Sequence, residues 1–170
     1  FLSEILTKSG YRTGRYISPT LYSYRERIQV DKEMIDRDSL AKLTTKVKEA
    51  IDGMLFDGLQ SPTVFEVETA ISFLYFVEKQ CDIVVLETGL GGTLDATNVV
   101  TTTVLEVIAS IGMDHMMFLG NTLGEIAEHK AGIIKSGCTV VSASQQPEAA
   151  VSVRKKAEQE GCELICVEPE

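Results

Sequence analysis

The feature that most constrains the fold of this chain is an alternation of apolar, strand-like runs with amphipathic, helix-like segments. In the second half, strand-like runs at 102–112, 138–144 and 162–168 are separated by helix-like segments at 121–137 and 147–161. Such alternation is typical of strands joined by helical crossovers, so it predicts an α/β fold with a mostly parallel sheet and helices on both faces. Ligands of such folds bind at the carboxyl ends of the strands.

The first half of the chain shows the same alternation. We predict helices at 1–10, 39–55 and 63–80, strands at 11–19 and 83–87, a loop with a short extended stretch at 21–35, and a break at 56–62. The helix at 63–80 is apolar nearly all round, which predicts burial on most sides. The continuous apolar run IVVLE at 83–87 is typical of a strand inside a parallel sheet.

Composition and charge argue against two classes of partner. The 170 residues are about one domain's worth, and 44% of them are apolar, which is enough for a core. The net charge of −9 argues against nucleic acid held by a basic surface. No apolar run approaches the roughly 20 residues that a membrane span requires. The chain begins at Phe1 without a leader peptide, so we expect a piece of a longer protein, cut within a helix.

The cysteines predict no metal site or disulfide framework. The chain has four, at Cys81, Cys138, Cys162 and Cys166, and none forms a CxxC pair. We expect Cys81 and Cys138 to begin strands and the other two to share one. This pattern favours inert thiols in a reducing cytoplasm.

A glycine-rich stretch, ETGLGGTLDATN at 87–98, follows the apolar strand and has three interpretations: a phosphate cradle, a metal site or a mobile turn. A dinucleotide-binding fingerprint would need glycine where Leu94 stands, and a P-loop would need a Gly-Lys pair that the chain lacks. Glu87, however, ends the strand, and P-loop enzymes hold Mg²⁺ with a carboxylate at this position. The alternative is a solvated glutamate before a flexible turn.

A lysine occupies an unexpected position in the helix predicted at 121–137. Thr122 and Glu125 have the spacing of a capping box. The apolar side chains of this helix form one stripe, and Lys130 falls at its centre; the stripe consists of Leu123, Ile126, Ala127 and Ile134. A buried lysine costs free energy unless it is paired or neutral. Lys130 therefore either extends its amine to the rim or carries a neutral amine that reacts with CO₂ to form a carbamate.

His115, in GMDHMMFLG, is either a structural histidine or a metal ligand. Ser18, Glu87 and the stretch around His115 all fall at predicted strand ends. We expect Glu87, His115 and Lys130 to converge at one edge of the sheet. A carboxylate, an imidazole and a carbamate together would suit a divalent cation.

Several of these stretches match a known family. They are GRYISP with RERI within 14–28, TVFEVETA at 63–70, LETGLGGTLDATNVV at 86–100, MDHMMFLGNTLGEIAEHKAGIIK at 113–135, and the strand–helix–strand that follows. Over essentially all 170 residues the chain resembles the central ATPase domain of the folylpolyglutamate synthase family, in the Mur ligase superfamily. Bacterial members are often also dihydrofolate synthases. The DATN and HKAGIIK motifs are specific to this folate branch.

The resemblance implies a metal site and a fold. The fold would be the P-loop NTPase-like central domain, truncated at both ends. Ser18 would bind a first Mg²⁺, Glu87 would bridge two Mg²⁺ ions, His115 would bind the second, and Lys130 would be the carbamylated lysine. Glu87, His115 and Lys130 would thus be the catalytic residues.

The resemblance also implies a substrate site. Two short stretches would contact the pterin end of the substrate: Thr63, Val64, Phe65 and Glu66, and Leu94, Asp95 and Ala96. The family commonly has an acidic residue where this chain has Val64. The resemblance implies that the family's P-loop would lie just before the position of Phe1 and that the glutamate-binding domain would follow the 170 residues, so it assigns no ATP contact to this chain.

The implied activity is ATP-dependent addition of L-glutamate to a folate, or to dihydropteroate, through an acyl phosphate. ATP and two Mg²⁺ ions would be required, and the enzyme would be a cytoplasmic monomer without nucleic-acid or membrane partners. The 170 residues alone are expected to be inactive. Two alternatives stay open: a cell-wall amino-acid ligase of the same superfamily, and a nucleotide-binding relative that has lost catalysis.

Overall fold

A computed structural model describes residues 1–168 of the chain, which divide into two compact units, Phe1–Gly89 and a second from Leu90 onward. The first unit contains helices α1 (Leu2–Lys8), α2 (Arg37–Phe56) and α3 (Val64–Glu78), and strands β1 (Thr13–Tyr16), β2 (Ile28–Val30), β3 (Glu33–Met34) and β4 (Ile83–Leu86). The second contains α4 (Met116–Leu119), α5 (Leu123–Ala131) and α6 (Pro147–Glu160), with β5 (Leu105–Ile108), β6 (Thr139–Ala143) and β7 (Glu163–Val167). Short 3₁₀ helices lie at Tyr24–Arg27 and Ala96–Val99.

The sheet of the first unit has the order β3-β2-β1-β4. β1 and β4 are parallel, with Thr13 beside Ile83 and Tyr16 beside Leu86. Because parallel strands end at the same edge, Ser18 and Glu87 follow two neighbouring strand ends. This pairing is the structural basis of the first half of the predicted site.

The loop prediction for residues 21–35 is wrong in part, because β2 and β3 form an antiparallel hairpin there. Its turn residues, Asp31 and Lys32, have φ angles of 48° and 74°. Hairpin turns of this left-handed kind are usually signalled by Asn-Gly or Asp-Gly. Asp-Lys carries no such signal, so the sequence did not reveal the turn.

The core of the first unit packs α2 and α3 against the sheet. Its buried apolar side chains are Tyr16, Ile28, Val30, Ile35, Leu43, Val47, Ile71, Tyr75 and Phe76. Helix α3 buries a broad face, as predicted, while Val64 and Val77 near its two ends remain exposed. Apolar burial on this scale stabilises by roughly 25 cal/mol per Å² of surface removed from water.

The second unit is built on a parallel sheet of order β5-β6-β7. Helices α5 and α6 share a core with this sheet, formed by Ile126, Ala127, Val140, Ala149, Val153 and their neighbours. Helix α5 is shorter than the predicted 121–137, since it ends at Ala131 before Gly132. Helix α4 was not predicted, because its four residues are too few to show a helical period.

The α/β class is confirmed. Within residues 1–168 the strands form two sheets, and only the second is parallel throughout. The described helices are too short or too polar to span a bilayer. Of the cysteines, Cys166 lies within β7, whereas Cys81, Cys138 and Cys162 lie just before strands.

Candidate functional site

Ser18 and Glu87 are joined directly in the first unit. The backbone N–H of Ser18 donates to Oε2 of Glu87 at 2.9 Å. The bond follows from the β1–β4 register, because Glu87 N–H also donates to the Tyr16 carbonyl, at 3.0 Å. Glu87 is exposed and Ser18 is half-buried, so the Glu87 carboxylate lies against the Ser18 backbone at the carboxyl ends of two parallel strands.

A buried ion pair supports the segment that carries Ser18. Nη1 of Arg27 lies 3.3 Å from Oε2 of Glu68 on α3, with side chains 13% and 7% exposed. The Arg27 carbonyl in turn accepts the N–H of Ile17, at 3.1 Å. Burial, reinforced by the Glu68 charge, raises the pKa of the neighbouring Tyr24 to about 12. This ion pair was not predicted from the sequence, although a glutamate within the apolar helix predicted at 63–80 is a local signal of it.

The predicted substrate residues at 63–66 form the start of α3. Thr63 and Glu66 make a capping box: Thr63 Oγ1 accepts the N–H of Glu66, and the Glu66 carboxylate accepts the N–H of Thr63. These bonds hold the pKa of Glu66 below its usual range. The other two side chains of this stretch take no part in the capping box: Val64 is 74% exposed and Phe65 is half-buried.

The glycine loop of the second unit, residues 90–95, packs against the end of α5. The N–H of Thr93 donates to the carbonyl of His129 at 3.0 Å, and Thr93 Oγ1 reaches the same carbonyl at 3.2 Å. A Cβ on Gly92 would lie 2.5 Å from that carbonyl oxygen, and one on Gly132 would collide with Thr93 Oγ1. The glycines therefore permit the loop to contact the helix that carries Lys130.

The three predicted substrate residues of this loop have different roles. Asp95 is 8% exposed, and its carboxylate accepts N–H bonds from Leu90 and Thr97, which hold the loop closed. Leu94 is 90% exposed at the tip, and Ala96 is half-buried. Leu94 is thus the member presented to solvent.

The loop also contacts α4, the helix that directly follows His115. A Cβ on Gly91 would approach the buried Leu119 of α4 to 2.7 Å. His115 itself has a left-handed backbone, with φ of 52°, and its side chain is 51% exposed. Its Nε2 lies 3.6 Å from Oδ2 of Asp114. Within the second unit, the glycine loop therefore links the elements that carry His115 and Lys130.

Lys130 is less buried than its place in the apolar stripe suggested. Leu123, Ile126, Ala127 and Ile134 are buried as predicted, but Lys130 is only half-buried. A lysine stem is long enough to pack along apolar neighbours while its amine reaches the rim. The capping box predicted at Thr122 and Glu125 is confirmed.

The donor chemistry of the predicted residues fits Mg²⁺ in the first unit. The hydroxyl of Ser18 and the carboxylate of Glu87 are both oxygen donors, the kind of ligand this ion prefers. Within residues 1–168, no three His, Cys, Asp or Glu side chains form a group able to hold a metal by themselves. The predicted set instead includes a serine and a lysine, and its members are divided between the two units.

Comparisons by sequence and by structure both find folylpolyglutamate synthases similar to this chain. No protein-family model matches the chain. It is 44% identical over 159 residues to the dihydrofolate synthase/folylpolyglutamate synthase of Bacillus subtilis, which covers 93% of this chain and 37% of that protein. The structure of a folylpolyglutamate synthase complex with AMPPCP and folate superposes with a TM-score of 0.92 at 36% identity, over 97% of this chain and 40% of that one.

Over more than nine tenths of its length the chain is thus similar to folylpolyglutamate synthases in both sequence and structure. An Escherichia coli protein in complex with DHPP and ADP also superposes, with a TM-score of 0.86 at 33% identity over 97% of this chain and 38% of that one. The chain thus spans about two fifths of the length of these folylpolyglutamate synthase relatives.

Proposed function

We propose that this chain is part of the central domain of an ATP-dependent ligase that adds L-glutamate to a folate. The observation that carries the proposal is the Ser18–Glu87 hydrogen bond at the ends of two parallel strands. It joins the backbone of Ser18 to the Glu87 carboxylate at the carboxyl ends of the strands, where α/β folds commonly bind ligands, and this supports the proposal. Similarity to a protein solved with AMPPCP and folate supports ATP and folate as substrates.

The chemistry requires an activated carboxyl group. A folate carboxylate resists attack by an amine, because its leaving group would be oxide. Transfer of the γ-phosphoryl group of ATP to that carboxylate gives an acyl phosphate, and attack by the amine of glutamate then releases phosphate. The protein contributes mainly positioning and charge stabilisation to such a transfer.

The residues of this chain would divide those tasks. Ser18 and Glu87 would hold Mg²⁺ in the first unit, and His115 and a carbamylated Lys130 would be the metal-binding residues of the second. Bound Mg²⁺ neutralises charge on the transferring phosphate oxygens. Leu94, Val64 and Phe65 are exposed or half-exposed apolar side chains suited to a flat pterin ring. The Asp95 carboxylate and the Thr63–Glu66 capping box would hold their loops in shape.

Lys130→Ala tests the carbamate directly. In the full-length enzyme we expect ligation to be abolished, and added acetate to restore part of it by supplying a carboxylate in the gap. Gly124→Ala on the same helix is a matched control, because no atom lies within 4 Å of a Cβ there. Full activity of Lys130→Ala would end the carbamate hypothesis.

ADP release by the full-length protein tests the function. The assay contains Mg²⁺ and ATP, with glutamate and either a reduced folate or dihydropteroate supplied together or singly. We expect ADP only when an acceptor and glutamate are both present, and the effective acceptor identifies the substrate. A folded protein that releases no ADP with either acceptor would instead favour a cell-wall ligase or a non-catalytic relative.

A further inference from the structure

We propose that Cys138 and Cys162 form a covalent modification site, closing to an intramolecular disulfide when the protein meets a low-molecular-weight disulfide. Their sulfur atoms lie 3.7 Å apart, although the residues are 24 positions apart in sequence. The proposal concerns only the second unit and does not depend on the ligase function.

The strand register supports this pairing. Thr139 of β6 pairs in parallel with Glu163 of β7. Cys138 and Cys162 directly precede these residues, so they extend the same register by one position. Neighbouring strands lie about 4.8 Å apart, and disulfides form across Cα separations of about 4.4–6.8 Å. A pair one position beyond this register is therefore expected to satisfy the distance requirement.

The surroundings give the two thiols different roles. Cys138 is 3% exposed, and burial together with the adjacent Cys162 thiol raises its pKa. Cys162 is half-buried, and its S–H donates to the carbonyl of Lys135 at 3.1 Å. Because oxidants reach Cys162 more easily, it is the thiol that reacts first.

The reaction proceeds by two exchanges. The Cys162 thiolate attacks one sulfur of the small disulfide, whose S–S bond breaks and releases one thiol. The Cys138 thiolate then attacks the Cys162 sulfur and displaces the second thiol. Two protein S–H groups become one S–S bond, and the oxidant is reduced to two thiols that retain the protons.

The other two cysteines provide internal controls. Cys166 is exposed on β7 and pairs in register with Ser142, so no thiol lies opposite it. Burial raises the pKa of the Cys81 thiol in the first unit, which slows its exchange. Within residues 1–168, Cys81 is the only cysteine of the first unit, and no thiol pairs in register with Cys166.

The test is a redox titration of the native full-length protein with oxidised glutathione, followed by blocking of free thiols, digestion and mass spectrometry. Trypsin releases residues 136–154, and cleavage after Glu163 separates Cys162 from Cys166. We expect the Cys138 and Cys162 peptides to become linked at a glutathione ratio that leaves Cys81 unlinked. In Cys138→Ser we expect Cys162 to retain glutathione instead, and in Cys166→Ser the link should form as in the parent.

Stable glutathione adducts on Cys162 of the parent protein, without linkage to Cys138, would overturn the proposal. So would a link that forms only after denaturation, since the native register would then not be its cause. Because the measurement is made on the unmodified sequence, it does not depend on the folding of any variant.

Discussion

Two loops, one in each unit, carry candidate site residues, and they are held in opposite ways. The Ser18 loop, residues 17–27 of the first unit, is supported by a buried ion pair between Arg27 and Glu68. The glycine loop, residues 90–95 of the second unit, is supported by close backbone contact with α5, where Gly92 leaves no room for a side chain. The first loop is held by two charged side chains, and the second by a close backbone contact that only glycine permits.

This difference predicts different sensitivities. Removing one member of a buried ion pair leaves the other charged and unpaired, which is costly. Adding a methyl group to a tight contact forces the backbone apart, which costs somewhat less. The first loop should therefore respond to changes of charge and the second to changes of volume.

Arg27→Met should have the largest effect on stability. It leaves the Glu68 carboxylate, 7% exposed, without its partner, so we expect a loss of about 3–5 kcal/mol in urea denaturation. Adding Glu68→Gln to the same variant should recover part of that loss, because the unpaired charge is removed. Lys48→Met, which breaks the exposed Lys48–Asp52 pair, is the control and should cost about 0.5 kcal/mol or less. If Lys48→Met loses as much stability as Arg27→Met, burial of the Arg27–Glu68 pair is not what supports the first loop.

Gly92→Ala should have the next largest effect. Its Cβ would lie 2.5 Å from the carbonyl oxygen of His129 and 2.9 Å from that of Lys130, and both atoms belong to the backbone. We expect a loss of about 2–3 kcal/mol in the same assay. Gly124→Ala, where a Cβ meets open space, should be neutral or slightly stabilising. Equal stabilities for the two variants would show that the loop does not pack as described.

Glu106→Gln should have the smallest effect, and one that depends on pH. Burial raises the pKa of Glu106 to about 7 from its usual 4.5, although the Thr103 hydrogen bond and the Lys135 charge oppose the shift. Between these values the folded chain retains a proton that the unfolded chain releases, so the stability of the parent falls as pH rises.

The glutamine side chain stays neutral throughout. The stability advantage of Glu106→Gln should therefore grow between pH 4.5 and about 7, reaching about 1 kcal/mol after the partial exposure of the side chain is discounted. Exposed Glu163→Gln on β7 is the control. If the difference in unfolding free energy between Glu106→Gln and its parent does not change with pH, the folded chain does not retain the extra proton on Glu106.

The sequence predicted those elements whose signals are local. The alternation of apolar runs and helical periods located α2, α3, α6 and the strands β4 to β7, and the Thr122–Glu125 capping box marked the start of α5. The same Thr-x-x-Glu spacing at Thr63 and Glu66 could have marked α3, but those residues were interpreted only as substrate contacts.

Features that depend on distant residues could not be predicted. The Ser18–Glu87 hydrogen bond joins positions 69 apart in sequence. It forms because β1 and β4 are neighbouring strands, and local sequence patterns do not predict which strands are neighbours. The exposure of Lys130 depends on how a flexible stem lies at the end of a short helix. The role of Gly92 became visible only once the loop was placed on α5.

The most direct test of the central claim is Glu87→Gln in the full-length enzyme, with ADP release and folate affinity measured on the same preparation. The substitution keeps the shape of the side chain and the hydrogen bond to Ser18 while removing the charge that would hold Mg²⁺. Glu78→Gln, an exposed glutamate on α3, is the matched control. We predict that turnover falls by about 10²-fold or more while folate affinity is unchanged. ADP release equal to that of the parent would contradict the account.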